Sequence, residues 1–158
     1  MITVDVEIPA ALLRQLDPAR AEKALSSATF RIGELVQGEL QKSTPRAHSP
    51  VIWQSAKSRR YYFWMRRRYG LPLQYTRGSD PLSQRLQRSW TVKRQGRTSA
   101  VVGVKGIKYA KYVQSEAHQT RQHRATGWVT EATAVRNVAR SGDVERVVQQ
   151  AVAKEWTG

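Results

Sequence analysis

The chain has 158 residues, with 27 Lys and Arg against 12 Asp and Glu, 40% hydrophobic residues and no cysteine. That length suits a single core, and the missing cysteines exclude disulfide frameworks, thiolate zinc sites and cysteine nucleophiles, as fits a protein made in a reducing cytosol. The net charge of +15 exceeds the magnitude of about 2 to 8 usual for a small soluble domain, and calls for a partner of opposite sign: nucleic acid, an anionic membrane face or an acidic protein surface.

Residues 2–8, Ile-Thr-Val-Asp-Val-Glu-Ile, alternate apolar and polar with period two. This is the pattern of a strand with one buried face, and Pro9 ends it. The first 13 residues carry Asp5 and Glu7 and no basic start before an apolar run, so no signal peptide is expected. No stretch of about 18 apolar residues occurs, so no membrane-spanning helix is expected. Asp17-Pro18 reads as an N-cap followed by proline at the first helical position, where its missing N–H costs nothing. The helix is predicted from 18 to about 42. Leu25, Ala28, Ile32, Leu35, Val36 and Leu40 form its apolar stripe, while Arg31, Glu34 and Lys42 project elsewhere. Ser43-Thr44-Pro45 closes it, because a residue before proline disfavours the helical region.

Between residues 53 and 97 the composition changes. Lys57, Arg59, Arg60, Arg66, Arg67, Arg68, Arg77, Arg85, Arg88, Lys93, Arg94 and Arg97 face a single acid, Asp80. Trp53, Tyr61, Tyr62, Phe63, Trp64, Tyr69, Tyr75 and Trp90 are interleaved with them. A short helix is predicted near residues 55–67, then a long connection punctuated by Gly70, Pro72, Gly78 and Pro81. Long ordered connections are uncommon in compact domains and are often functional. Residues 49–84 therefore read as a protruding basic-aromatic insertion within one domain spanning residues 1–158.

Leu86, Trp90 and Val92 share one face of a second alternating run, and Ala100, Val102 and Val104 one face of a third. Gln95-Gly96-Arg97 between them predicts a hairpin turn. No periodicity assigns residues 107–130. A helix is expected from 131 to 139, stopping at Ser141-Gly142. The last helix begins near Asp143, with Val144, Val147, Val148, Ala151 and Val152 as its buried stripe. The predicted fold class is α+β: an antiparallel sheet packed against a long N-terminal helix and a C-terminal helix.

No catalytic constellation stands out. His48, His118 and His123 lie in no nucleophile-elbow, HExxH or kinase-type context. His118 and His123 are five apart, not the four that places two ligands on one helical face. No catalytic residue, metal or cofactor is expected. A nuclease would want clustered carboxylates, and the basic stretch offers only Asp80. Gly103-Val104-Lys105-Gly106 matches a bare GxxG loop, but it ends a β-like run and reads as a strand terminus.

The strongest chemical signal is residues 57–68, Lys-Ser-Arg-Arg-Tyr-Tyr-Phe-Trp-Met-Arg-Arg-Arg. Two functional readings compete, beside the bland one of a merely solvated face. In one, the arginines grip phosphates and the aromatics stack on bases, making the chain a nucleic-acid-binding protein. In the other, Tyr61, Phe63 or Trp64 pack into the core while the arginines line a subunit contact.

The order of short segments then resembles a family. Residues 49–63, Ser-Pro-Val-Ile-Trp-Gln-Ser-Ala-Lys-Ser-Arg-Arg-Tyr-Tyr-Phe, look like the P-I-x-W-T-S-x-K-Q-R-R-A-Y-F segment of small prophage proteins. Residues 70–78 resemble, with an insertion, the G-x-P-Y-x-R-T-G-x-L stretch that follows. Leu86-Gln87-Arg88-Ser89-Trp90 is similar to L-x-x-S-W, residues 109–114 to Y-A-x-Y-V-x, and residues 123–128 to H-x-x-T-G-W. With the first and last helices this covers most of the chain, and it resembles the tail-component and tail-completion (neck) proteins of long-tailed double-stranded DNA phages. One departure is the loop 77–82, Arg-Gly-Ser-Asp-Pro-Leu, in place of a compact R-T-G-x-L turn.

The resemblance implies a non-enzymatic virion protein of the phage neck, present in the host cytoplasm during assembly and touching no membrane. It would form a homo-oligomeric ring that completes the tail and joins head connector to tail tube. Its partners would be other copies, the neighbouring head-completion and tail-tube proteins, and packaged duplex DNA in the channel. On this reading the subunit-interface residues are Trp53, Arg59, Arg60, Tyr61, Tyr62, Phe63, Trp64, Tyr109, Tyr112, His123 and Trp128. Tyr112 and Trp128 are expected to be its buried anchors. Lys57, Arg66, Arg67, Arg68 and Arg77 are the DNA-facing candidates.

Overall fold

A computed structural model of the chain describes residues 2–5, 17–42, 55–71 and 85–157. Along the chain it shows β1 (Ile2–Asp5), α1 (Pro18–Lys42), α2 (Ala56–Tyr69), α3 (Arg85–Arg88), β2 (Trp90–Gln95) and β3 (Ser99–Val104). Then come α4 (Ala110–Gln114), α5 (Arg121–Ala125), α6 (Glu131–Arg140) and α7 (Asp143–Thr157). The fold is α+β, as the sequence pattern predicts. The end of the first strand at Pro9, the stop at Ser43-Thr44-Pro45, the long connection after Pro72, and the candidate residues Trp53 and Arg77 lie outside the described residues. The chain divides into two compact units. One comprises Met1–Glu39, Trp90–Lys105 and Ala134–Gly158, and the other Leu40–Ser89 and Gly106–Thr133.

In the first unit α1 starts where its cap requires. The Asp17 carboxylate accepts the Ala19 N–H at 2.9 Å, and the Asp17 carbonyl accepts the Ala21 N–H at 2.9 Å, which satisfies donors the first turn would otherwise leave orphaned. The strands form one antiparallel sheet of order β1-β3-β2. Ile2 pairs with Val102 and Val4 with Ala100 on one side, while Trp90 pairs with Val104 and Val92 with Val102 on the other. The predicted hairpin is present, and Gly96 supplies the left-handed conformation of its turn at φ 74°.

Trp90, Ala100 and Val102 bury the face of the sheet that meets α1. The approach is close at Gly33, where an added Cβ would fall 2.8 Å from Val92 Cγ1. Side chains along β2 hold the helix there: Gln37 Nε2 donates to the Trp90 carbonyl at 2.7 Å, Arg94 Nη1 donates to Ser26 Oγ at 2.5 Å, and the Arg94 guanidinium lies 5.0 Å over the Phe30 ring. On its other side α1 meets α7. Ala24, Ala28 and Ile32 cluster with Val147 and Ala151, and Leu35, Val144, Val148 and Val152 pack around them. The buried stripe of α1 is Ala21, Ala24, Ala28, Ile32, Val36 and Leu40. The predicted members Leu25 and Leu35 are only half-buried, because small alanines occupy the closest approach and the leucines flank it.

In the second unit Leu86, Ile107 and Val113 are buried. The alternating pattern predicts Leu86 as an inward residue of a strand. It lies instead in the short helix α3, where the Ser89 N–H bonds to the Leu86 carbonyl at 3.1 Å. That turn breaks the alternation before the strand starts at Trp90. Residues 107–130, which no periodicity assigned, form α4 and α5 joined by a polar knot. Gln119 Nε2 donates to the Val113 carbonyl at 2.8 Å and to the Trp128 carbonyl at 2.9 Å, and the Thr120 N–H bonds to the Tyr112 carbonyl at 3.1 Å. A buried glutamine satisfied in this way adds specific hydrogen bonds beside the apolar residues.

Candidate interaction surface

Helix α2 carries most of the residues singled out in the sequence. Its N-terminus is a capping box: Ser55 Oγ accepts the Ser58 N–H and the Ser58 hydroxyl accepts the Ser55 N–H, each at 3.1 Å. Its C-terminus is closed by Gly70 in the left-handed region at φ 63°, with the Gly70 N–H bonded to the Arg66 carbonyl. Both ends are thus satisfied within the segment itself, and the helix buries none of its residues. It lies against α5, with Gly70 beside Arg121.

The orientation of α2 separates its side chains. Ser58, Tyr62, Met65 and Arg66 are half-buried and recur at helical spacing, so they form the inward face. Tyr61 is 60% exposed, Phe63 38% and Trp64 51%. The reading that placed Tyr61, Phe63 or Trp64 in the core is therefore corrected: the sequence order of four consecutive aromatics does not reveal which of them faces inward, and Tyr62 does. Ser55, Ala56, Arg59, Arg60, Phe63, Trp64 and Arg67 line a shallow groove of about 750 Å³ on the exposed side.

The rings and cations of α2 organise one another. Tyr61 and Trp64 stack at 5.9 Å, and Tyr62 and Phe63 meet edge to face at 5.3 Å. Arg59 lies over Phe63, Arg66 over Tyr62 and Arg68 over Trp64, at 6.0, 5.2 and 5.5 Å. Each of these cation–ring pairs is four residues apart, which helical geometry brings together. Stacking holds a guanidinium flat while leaving its N–H edges free. Ion pairs join Arg97 to Glu22 and Arg146 to Asp143, both outside α2.

The other candidates lie around α4 and α5. Tyr109 is 47% and Tyr112 44% exposed, and Lys111 lies 4.9 Å over the Tyr112 ring. Tyr112 is therefore not an anchor buried within the chain, and Trp128 is half-buried. His123 is half-buried and its Nδ1 shares a hydrogen bond with Thr120 Oγ1 at 2.7 Å. Burial lowers its pKa from the usual 6.5, a hydrogen bond to the Tyr112 backbone opposing the shift. His118 is exposed, with Nδ1 3.4 Å from Ser115 Oγ. Tyr112, His123 and Trp128 thus meet through the backbone bonds of the polar knot, a grouping their spacing does not announce.

Sequence reasoning passed over Arg121 and Arg124, both exposed on α5. No local signal marks them, because only the packing of α5 against α2 brings Arg121 beside Gly70. Comparison with protein-family models, with curated proteins and with solved structures finds no match.

Proposed function

We propose that the chain is a structural, non-enzymatic subunit of a phage neck, forming a homo-oligomeric ring that completes the tail and joins the head connector to the tail tube. The segment order set out above supports this reading, and the observation that carries it is α2: a helix capped at both ends that has no fully buried residue and presents rings and cations outward. Contiguous exposed apolar surface rimmed by charge is characteristic of docking sites. Six cations and no acid on one helix make a self-complementary contact repulsive, so α2 must meet a different surface. A ring requires such a head-to-tail contact between unlike faces. The exposed Tyr109 and Tyr112 are assigned to the same assembly.

Two measurements test the proposal. Light scattering and negative-stain imaging of the purified chain should show closed rings. Deleting residues 59–68 in the genome that encodes it should leave finished tails unjoined to heads. A chain that stays monomeric at all concentrations, together with normal infectious particles from the deletion, refutes it.

A further inference from the structure

The two units divide the charge unequally. Segments 40–89 and 106–133 hold 15 Lys and Arg against 3 Asp and Glu, leaving 12 against 9 of the chain's 27 and 12 for the first unit. Most exposed large apolar side chains follow the same division: Tyr61, Phe63, Trp64, Tyr69, Leu71, Tyr109 and Tyr112 belong to the second unit, and Trp156 to the first. The first unit is close to electrically balanced, and the second is a polycation.

We propose that the outward face of α2, extended by Arg121 and Arg124 of α5, binds duplex nucleic acid through its phosphates without reading base sequence. This goes beyond the ring reading and does not depend on it: the outward face of α2 cannot hold duplex and a neighbouring copy at once, so binding is assigned to the chain before ring closure. Lys57, Arg59 and Arg60 form one exposed cluster and Arg67 and Arg68 another, Arg66 lying on the half-buried inward side. Their centres are about nine residues apart, or about 13 Å along the helix at about 1.5 Å per residue. The major groove of B-form DNA is about 12 Å wide, so a helix laid across it sets one cluster on each flanking strand.

The state of the rings favours a duplex over a single strand. Trp64 already has Tyr61 and Arg68 as neighbours, and Phe63 has Tyr62 and Arg59. An unpaired base stacking on them would compete with those partners, whereas phosphates need only the guanidinium edges that stacking leaves free. A regularly charged polymer also neutralises cations on α2 and α5 together, which a compact carboxylate cluster does not.

The test is fluorescence anisotropy with two labelled duplexes of unrelated sequence, each about 20 base pairs, titrated with the full chain between about 50 and about 200 mM salt. Equal affinity for both is expected, with a log–log salt slope of roughly −5 if six cations meet phosphates, or about a thousandfold loss across that range. Replacing Arg59, Arg60, Arg67 and Arg68 by Gln should flatten the slope by about 3 to 4. The same number of exposed cations removed from the first unit, Lys23, Arg31, Arg140 and Lys154 to Gln, should change it far less. Circular dichroism checks that both variants keep their helices. Tighter binding to the matching single strand, equal losses from the two variants, or full competition by polyglutamate at equal charge would each overturn the proposal, the last in favour of an acidic protein partner.

Discussion

Two glycines of α1 offer opposite outcomes from one substitution. Glycine in a helix interior costs about 1 kcal/mol relative to alanine. At Gly38 an added Cβ meets nothing within 4 Å, so Gly38→Ala should raise stability by up to about 1 kcal/mol. At Gly33 it would stand 2.8 Å from Val92 Cγ1 and 3.5 Å from Ala100 Cβ. Both neighbours lie in strands of a sheet, so Gly33→Ala should lower stability by about 1 to 3 kcal/mol, the usual cost of overpacking. Urea unfolding of the two variants measures the difference, and equal stabilisation by both would contradict the close contact. His123 gives a second outcome at this scale. Its folded pKa is lowered, so above pH 6.5 the ring is neutral both folded and unfolded. Below 6.5 the unfolded chain takes up a proton that the folded chain refuses, and stability falls as pH falls until the folded value is passed. Denaturation at about pH 7.5 and about pH 5.5 should show a decrease that His123→Gln reduces.

At the scale of elements, α2 is held by its own ends more than by its packing. Ser55→Ala removes the capping box, a loss of about 1 kcal/mol. Because α2 buries no residue, that loss should appear as local fraying, with the first amides of the helix exchanging about fivefold faster and the thermal midpoint unchanged. Unchanged exchange would mean that contacts elsewhere hold the helix. The same contrast decides what was legible in the sequence. Asp17-Pro18 and the run of apolar steps mark α1 because cap and stripe are local signals. The Gln95-Gly96-Arg97 turn marks the hairpin for the same reason. By contrast α4 and α5 are too short for periodicity, and what shapes them is Gln119 reaching two carbonyls at Val113 and Trp128. Leu86 fell into a strand pattern because one helical turn ending at Ser89 mimics alternation. On α2 the chemistry was legible, but its orientation was not, since which side is half-buried is set by elements packed against the helix and not by its own residues.

For the whole molecule, the total of +15 was plain from the sequence, but its allocation was not, since each unit gathers segments separated along the chain. Excess like charge in the second unit opposes its compaction, and salt screens that repulsion as the Debye length falls from about 10 Å at 0.1 M to about 3 Å at 1 M. The thermal midpoint should therefore rise with sodium chloride between about 0.05 and about 0.5 M. A falling midpoint would show that attractive ion pairs dominate instead.

The discontinuous assembly of the first unit also sets an order of events during synthesis. Ala24, Ala28 and Ile32 find Val147 and Ala151 only on the final helix. While the ribosome is still adding that helix, the apolar side of α1 stays wet, whereas every stretch of the other unit has been translated once Thr133 is joined. At about 5 to 20 residues per second the interval lasts a few seconds, and a chaperone would find its target in that window.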